Sequence, residues 1–131
     1  MQTIAYEQDG SVGWLRLNRP DRLNAQTVEM WEELAKLGET LADDAGLRCL
    51  VVIGEGRAFS SGIDVEQLLA GGGGNLFAEA GKGAAAPAES PSSGRAIEDK
   101  LVRRITELQE AYTWLADAPY PTIAAMRGYA L

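Results

Sequence analysis

Val28, Trp31, Leu34, Leu37 and Leu41 fall three, three, three and four residues apart. That spacing puts them on one face of a helix and predicts one from about Thr27 to Asp43. Thr27 is placed to cap it, Glu29 sits in the first turn where the helix dipole favours negative charge, and Gly46 marks the exit. Before it, Thr3–Glu7 alternates weakly, and Ser11–Leu17 carries Val12, Trp14, Leu15 and Leu17. The tight-turn dipeptide Asp9-Gly10 lies between them, so the two runs predict a β-hairpin. Arg19-Pro20-Asp21 ends the second strand, because proline cannot donate to a ladder.

Cys49–Ile53 is a continuous apolar run, short and β-branched, which predicts a strand buried on both faces, as in parallel sheets covered by helices. Gly54 and Gly56 break it. From Ala70 to Arg95, 19 of 26 residues are Gly, Ala, Pro or Ser. Too little bulky apolar surface is present there to offset the entropy of ordering, so the stretch reads as a loop insertion within one domain spanning 1–131. Ile97, Leu101, Ile105, Leu108, Tyr112 and Leu115 then predict a second helix, about Ala96 to Ala116, which Pro119 and Pro121 stop. Thr122–Met126 is a short apolar strand. The order β, β, α, β, loop, α, β is α/β with at least one parallel pair. Trp14 and Trp31 are expected in the core by spacing, Trp114 against a pocket or a partner. Cys49 is expected to be an inert small hydrophobe.

Composition narrows the chemistry. The chain has 131 residues, 46% of them hydrophobic, and a net charge of −7. An acidic chain without a basic block is a poor match for nucleic acid or an anionic membrane surface. It contains no histidine and one cysteine, which excludes within this chain histidine-based triads, histidine metal ligands, internal disulfides and multi-cysteine zinc sites. No apolar run reaches membrane-spanning length and the first ten residues lack a signal pattern, so the expectation is a cytoplasmic protein.

The most informative segment is Gly54-Glu55-Gly56-Arg57-Ala58-Phe59-Ser60-Ser61-Gly62-Ile63-Asp64-Val65, which leaves a strand and enters a predicted short helix over Asp64–Leu69. Two readings stand on local physics: a plain tight turn with Gly62 at positive φ, or a backbone cradle whose N–H groups stabilise a developing oxyanion. A dinucleotide fingerprint lacks its third glycine, where Phe59 stands. A phosphate-binding loop lacks Gly-Lys-Ser/Thr, and a serine nucleophile lacks both its elbow and a base.

Arg57–Val65 resembles the signature of the crotonase (enoyl-CoA hydratase/isomerase) superfamily. Asn18-Arg19-Pro20-Asp21-Arg22-Leu23-Asn24-Ala25 and Pro121–Leu131 are similar to two further segments of that family, in the same order. The resemblance implies the fold, a crotonase-like spiral of ββα units of which this chain supplies the N-terminal half. It also implies the ligand, an acyl-CoA thioester bound as substrate, with no permanently bound cofactor and no metal. The family's first oxyanion donor maps onto the Ser61 N–H, and such donors are worth roughly 3–4 kcal/mol each. CoA contacts map onto Arg22, Leu23 and Ala25 and onto Ser61, Gly62, Ile63, Asp64 and Val65. Arg22 is the candidate phosphate contact. Asn24 is expected to satisfy the local turn, and Asp64 to cap the following helix. Glu66 is the candidate catalytic acid within this chain. Glu107 and Glu110 read as a solvated face.

The family's glycine cluster with its second donor, its acids and its trimerising helices have no counterpart before Leu131. The expectation is therefore a homo-oligomer, trimer or hexamer, in a complete protein, or a second chain that completes the fold. The leading function is hydration of a 2-trans-enoyl-CoA, with isomerisation next, and with the 131 residues inactive alone. The alternatives are a noncatalytic CoA-binding or partner-completed half, and a nucleotide-binding α/β domain. The acyl-CoA reading requires a main-chain N–H at the serine–glycine bend to face a groove instead of a neighbouring carbonyl.

Overall fold

The structure, a computed structural model, describes residues 2–64, 66, 106 and 109–131. Strands β1 (Ile4–Asp9) and β2 (Val12–Leu17) form the hairpin, with Gly10 at φ +58° in the turn. Helix α1 (Val28–Leu41) follows, then β3 (Cys49–Gly54), a helix over residues 109–117 (α2), and β4 (Thr122–Ala125). The sheet order is β1-β2-β3-β4. The hairpin is antiparallel and the other two pairings are parallel, with Leu15 opposite Val52 and Val52 opposite Ala124. This is the α/β architecture expected. The insertion at 70–95 and most of the short helix from Asp64 lie outside the described residues. So does the N-terminal part of the second predicted helix.

Period-two alternation turns Leu15 and Leu17 of β2 inward, where they join Ile4 of β1 and Leu50 of β3. Onto this face α1 lays Met30, Trp31, Leu34, Leu37 and Leu41. Thr27 caps α1, its hydroxyl accepting from the Met30 N–H at 3.2 Å. Gly38 of α1 is buried because the Trp114 indole lies against it; a Cβ there would meet the ring at 2.7 Å. Trp114 is thus a helix-packing residue, which corrects its expected place at a pocket or partner surface.

Two more expectations change. Trp14 is not in the core: it shares the outer face of β2 with Arg16, whose guanidinium lies 6.0 Å from the ring centroid. Apolar spacing alone does not say which face of a two-faced strand is covered. For the same reason β3 is not buried on both faces. Cys49, Val51 and Ile53 on its outer side are half-buried, and the Cys49 thiol is free.

The start of β1 is held by one carboxylate. Glu33 accepts from the Gln2 N–H at 2.6 Å, the Thr3 N–H at 2.9 Å, the Thr3 hydroxyl at 2.6 Å and the Ile4 N–H at 3.1 Å. Burial pushes the Glu33 pKa up, but the hydroxyl and the three N–H groups outweigh it and hold the carboxyl below the usual glutamate range. A lowered folded-state pKa contributes stability that is present above the unfolded value and lost as pH falls through the folded one. Glu33→Gln should therefore lower stability by about 2 kcal/mol at pH 7. Urea denaturation at pH 7 and pH 3 should show the gap between variant and parent closing in acid; a gap constant with pH would contradict this origin.

Candidate active site

The loop after β2 is built around a buried asparagine. A short 3-10 turn, Pro20–Arg22, delivers Leu23 and Asn24 in the left-handed region, at φ 51° and 54°. Such angles are costly for residues other than glycine. Asn24 offsets the cost with its side chain, which is fully buried. Its Oδ1 accepts from the Arg19 N–H at 2.9 Å, and its Nδ2 donates to Glu55 O at 2.9 Å and Ala58 O at 2.8 Å. Asn24 therefore does satisfy the turn, and it also fastens the turn to the segment that leaves β3.

That segment, 58–64, runs between two others. On one side the Phe59 and Ser60 N–H groups donate to Tyr129 O, and the Leu131 N–H donates to Ser60 O. On the other side the Ser61 N–H donates to Leu23 O at 2.9 Å, the Gln26 N–H to Gly62 O at 2.8 Å, and the Asp64 N–H to Gln26 O at 2.9 Å. The N–H expected as oxyanion donor, that of Ser61, is thus engaged by a neighbouring carbonyl and is not free to meet a ligand. This corrects the assignment. Counting along the motif does not reveal which way each peptide plane faces.

The geometry frees a different group. Gly62 O and the Ile63 N–H belong to one planar trans peptide, so they point in opposite directions. Because Gly62 O is held by Gln26, the Ile63 N–H faces away from it, and it has no acceptor among the described residues. Ile63 is 51% exposed. Gly62 makes the bend possible, at φ +86°, and its N–H is held by Ser60 Oγ at 3.2 Å. The one free amide in this bend therefore lies two residues beyond Ser61.

The other candidates gather around the same loops. Arg22 is exposed and pairs with Glu66 at 3.1 Å. An ion pair in such contact with water contributes little to stability, which leaves Arg22 available to an incoming anion. Leu23 and Ala25 line the asparagine turn, with Ala25 O accepting from Arg19. Asp64 is buried and pairs with Arg19 at 3.0 Å. Its role toward the following helix involves residues outside those described, as does Val65. Glu110 is exposed, and Glu107 lies outside the described residues. Arg19 was missed by sequence reasoning, although it stands inside the Asn-Arg-Pro segment. It joins both loops, and only the fold brings it within reach of Asp64.

Gln26 was missed as well. Beside the donor bend lies a cavity of about 250 Å³ between the sheet and the two helices, with Gln26, Phe59 and Tyr112 in its wall. Gln26 Oε1 accepts from the Tyr112 hydroxyl at 2.8 Å and from Trp31 Nε1 at 3.2 Å. Burial pushes the Tyr112 pKa far above the usual tyrosine value, with the Trp31 indole opposing it. The phenol stays neutral across the working pH range. Among the described residues no three acidic or thiol side chains cluster as metal ligands, and no helix is long and apolar enough to cross a membrane.

The family model for enoyl-CoA hydratase/isomerase matches residues 12–131. The chain belongs to that family. It is 31% identical over 114 residues to the mitochondrial Delta(3,5)-Delta(2,4)-dienoyl-CoA isomerase of Mus musculus, covering 87% of this chain and 31% of the mouse protein. It is 29% identical over 133 residues to the 1,2-epoxyphenylacetyl-CoA isomerase of Escherichia coli, covering 99% of this chain and 42% of that protein. Among solved structures, a Thermobifida fusca protein assigned as an enoyl-CoA hydratase, in complex with acetoacetyl-CoA, superposes with a TM-score of 0.71 at 35% identity, over 97% of this chain and 44% of that one. This member of the enoyl-CoA hydratase/isomerase family thus spans about a third to under a half of the relatives it matches. The crotonase fold is shared across the described elements.

Asn24→Ala tests the scaffold of this site. It leaves the buried Ala58 carbonyl and the half-buried Arg19 N–H and Glu55 carbonyl without partners, and keeps a left-handed φ with no compensating bonds. The expected loss is about 3 kcal/mol in chemical denaturation. A loss under about 1 kcal/mol would show that water replaces the side chain.

Proposed function

We propose that the whole protein acts on acyl-CoA thioesters and that the Ile63 N–H holds the thioester oxygen while an enolate forms. One observation carries the reading: a single peptide is clamped at its carbonyl by Gln26 and left free at its N–H, in a family whose solved relatives include a complex with acetoacetyl-CoA. A fixed donor needs no reorganisation as negative charge develops, which is where an oxyanion site gains its effect.

The reaction proposed is hydration of a 2-trans-enoyl-CoA. The oxygen of water bonds to C3 and the C2–C3 π pair moves toward C1. The carbonyl π pair collapses onto the thioester oxygen facing Ile63. The enolate then returns its electrons as C2 takes a proton, while the water gives up one. Double-bond isomerisation puts charge on the same thioester oxygen through a different species: loss of a C4 proton from the 2-enoyl-CoA gives a dienolate, and return of a proton at C2 leaves the double bond between C3 and C4. That second reading is favoured by the isomerases among the relatives. Both need a general acid–base group to move protons, and Glu66 remains the candidate within this chain. CoA would lie along Arg22, Leu23 and Ala25 and along 61–65, with Arg22 exchanging Glu66 for a phosphate. Assembly of the whole protein as a trimer or hexamer, or completion by a second chain, belongs to the same proposal. Ile123, Met126, Tyr129 and Leu131 are exposed large apolar side chains that such assembly would cover.

Titration of the labelled chain with acetoacetyl-CoA should shift the Ile63 amide resonance most and the Ser61 resonance little. Ile63→Pro, which removes the N–H and no hydrogen bond described above, should weaken binding about tenfold or more. A Ser61 shift with Ile63 unmoved would return the role to Ser61. The 131-residue chain alone, which offers one free donor in this bend, should give no turnover of crotonyl-CoA above background. Clear turnover would show that a second donor from elsewhere is not needed.

A further inference from the structure

The cavity beside the donor bend is apolar along Leu15, Leu34, Val52 and Leu115 and polar at one corner, where Gln26 and Tyr112 meet. The hydrogen-bond inventory of that corner is incomplete. Gln26 Oε1 already accepts two bonds, from Tyr112 and Trp31. Gln26 Nε2 has two hydrogens, one directed at Ser60 Oγ over 3.4 Å. The second has no acceptor among the described residues. Tyr112 has spent its only proton on Gln26, so its oxygen retains acceptor capacity alone, with one lone pair turned toward the Trp31 indole and the other open. The corner thus presents one spare donor and one spare acceptor, on side chains joined by a 2.8 Å bond.

That pair selects a ligand group. A hydroxyl donates and accepts at once, and so matches both. A plain alkyl chain matches neither and leaves polar atoms desolvated. A carbonyl uses only the donor, and a carboxylate would carry a charge into apolar walls with one N–H to meet it. The cavity, about 250 Å³, holds roughly eight non-hydrogen atoms at about 30 Å³ each, the share of a liquid water. Gln26 is also the bridge partner of Ile63, about 4.8 Å away across one strand spacing, with the Ile63 N–H on the opposite side of its strand.

We propose that this cavity takes the distal part of an acyl group that carries a hydroxyl beyond the reacting carbons, with Gln26 and Tyr112 as the residues that select it. The inference rests on the acyl-CoA reading above and specifies the substrate class within it.

Calorimetric titration of the chain tests it, with acyl-CoAs of six to ten carbons, each paired with the same chain hydroxylated at one position from C5 outward. At least one hydroxylated member should bind about tenfold more tightly than its plain parent, the worth of one or two neutral hydrogen bonds. Gln26→Leu should bring that ratio to about one. Because this change also releases Tyr112 and Trp31, Tyr112→Phe serves as an independent variant: it keeps the ring, removes the oxygen, and should cut the ratio to about threefold or less. Plain acyl-CoAs that bind as well as every hydroxylated partner, or a preference that both variants retain, would overturn the selection of a hydroxyl and leave the acyl-CoA reading standing. Failure of both kinds to bind would overturn the acyl-CoA reading and this inference with it.

Discussion

A trans peptide presents its carbonyl and its N–H in opposite directions, and the candidate site depends on that constraint. Gly62 O is fixed by the Gln26 N–H, so the direction of the Ile63 N–H is fixed too. Everything nearby serves to keep that plane still. Ser60 Oγ donates to Asn24 O and accepts from the Gly62 N–H. Arg19 ties Asp64, one residue past the donor, to the backbone of the asparagine turn. A group meant to stabilise transient charge is useful only if it is aimed before the charge appears. Here the aim is set by main-chain bonds, which survive most side-chain changes.

The site also explains the layering beneath it. β2 and β3 run parallel and end together at Leu17 and Gly54, so the loops that follow them emerge at the same edge of the sheet. α1, packed over the inner face, begins directly after the first of these loops, and Gln26 stands between loop and helix. It can therefore face the donor bend with its backbone and the cavity with its side chain. A polar residue in that place links the bend to the cavity wall.

The sequence made the architecture legible because the relevant patterns are local. Five apolar residues on one helical face specify α1, and an Asp-Gly pair between two alternating runs specifies the hairpin. The three family segments marked which loops matter. What remained hidden depends on direction or distance. Ser61 and Ile63 are two positions apart in one motif, and only the peptide planes distinguish the bonded N–H from the free one. Trp14 and Leu15 are equally apolar neighbours, and the sheet decides that Leu15 is covered while Trp14 stacks under Arg16. Tyr112 lies 86 residues from Gln26, so no local pattern pairs them.

The asparagine turn has a consequence for how such a protein can vary. One side chain closes its own loop and holds two carbonyls of another, at Glu55 and Ala58. The two loops are therefore interlocked, and an insertion or deletion in one demands a matching change in the other. The hairpin turn at Gly10, where an added Cβ would meet nothing within 4 Å, carries no such obligation. Length polymorphism should accumulate at the turn and be purged from the interlocked pair, whatever substrate the surrounding residues come to favour.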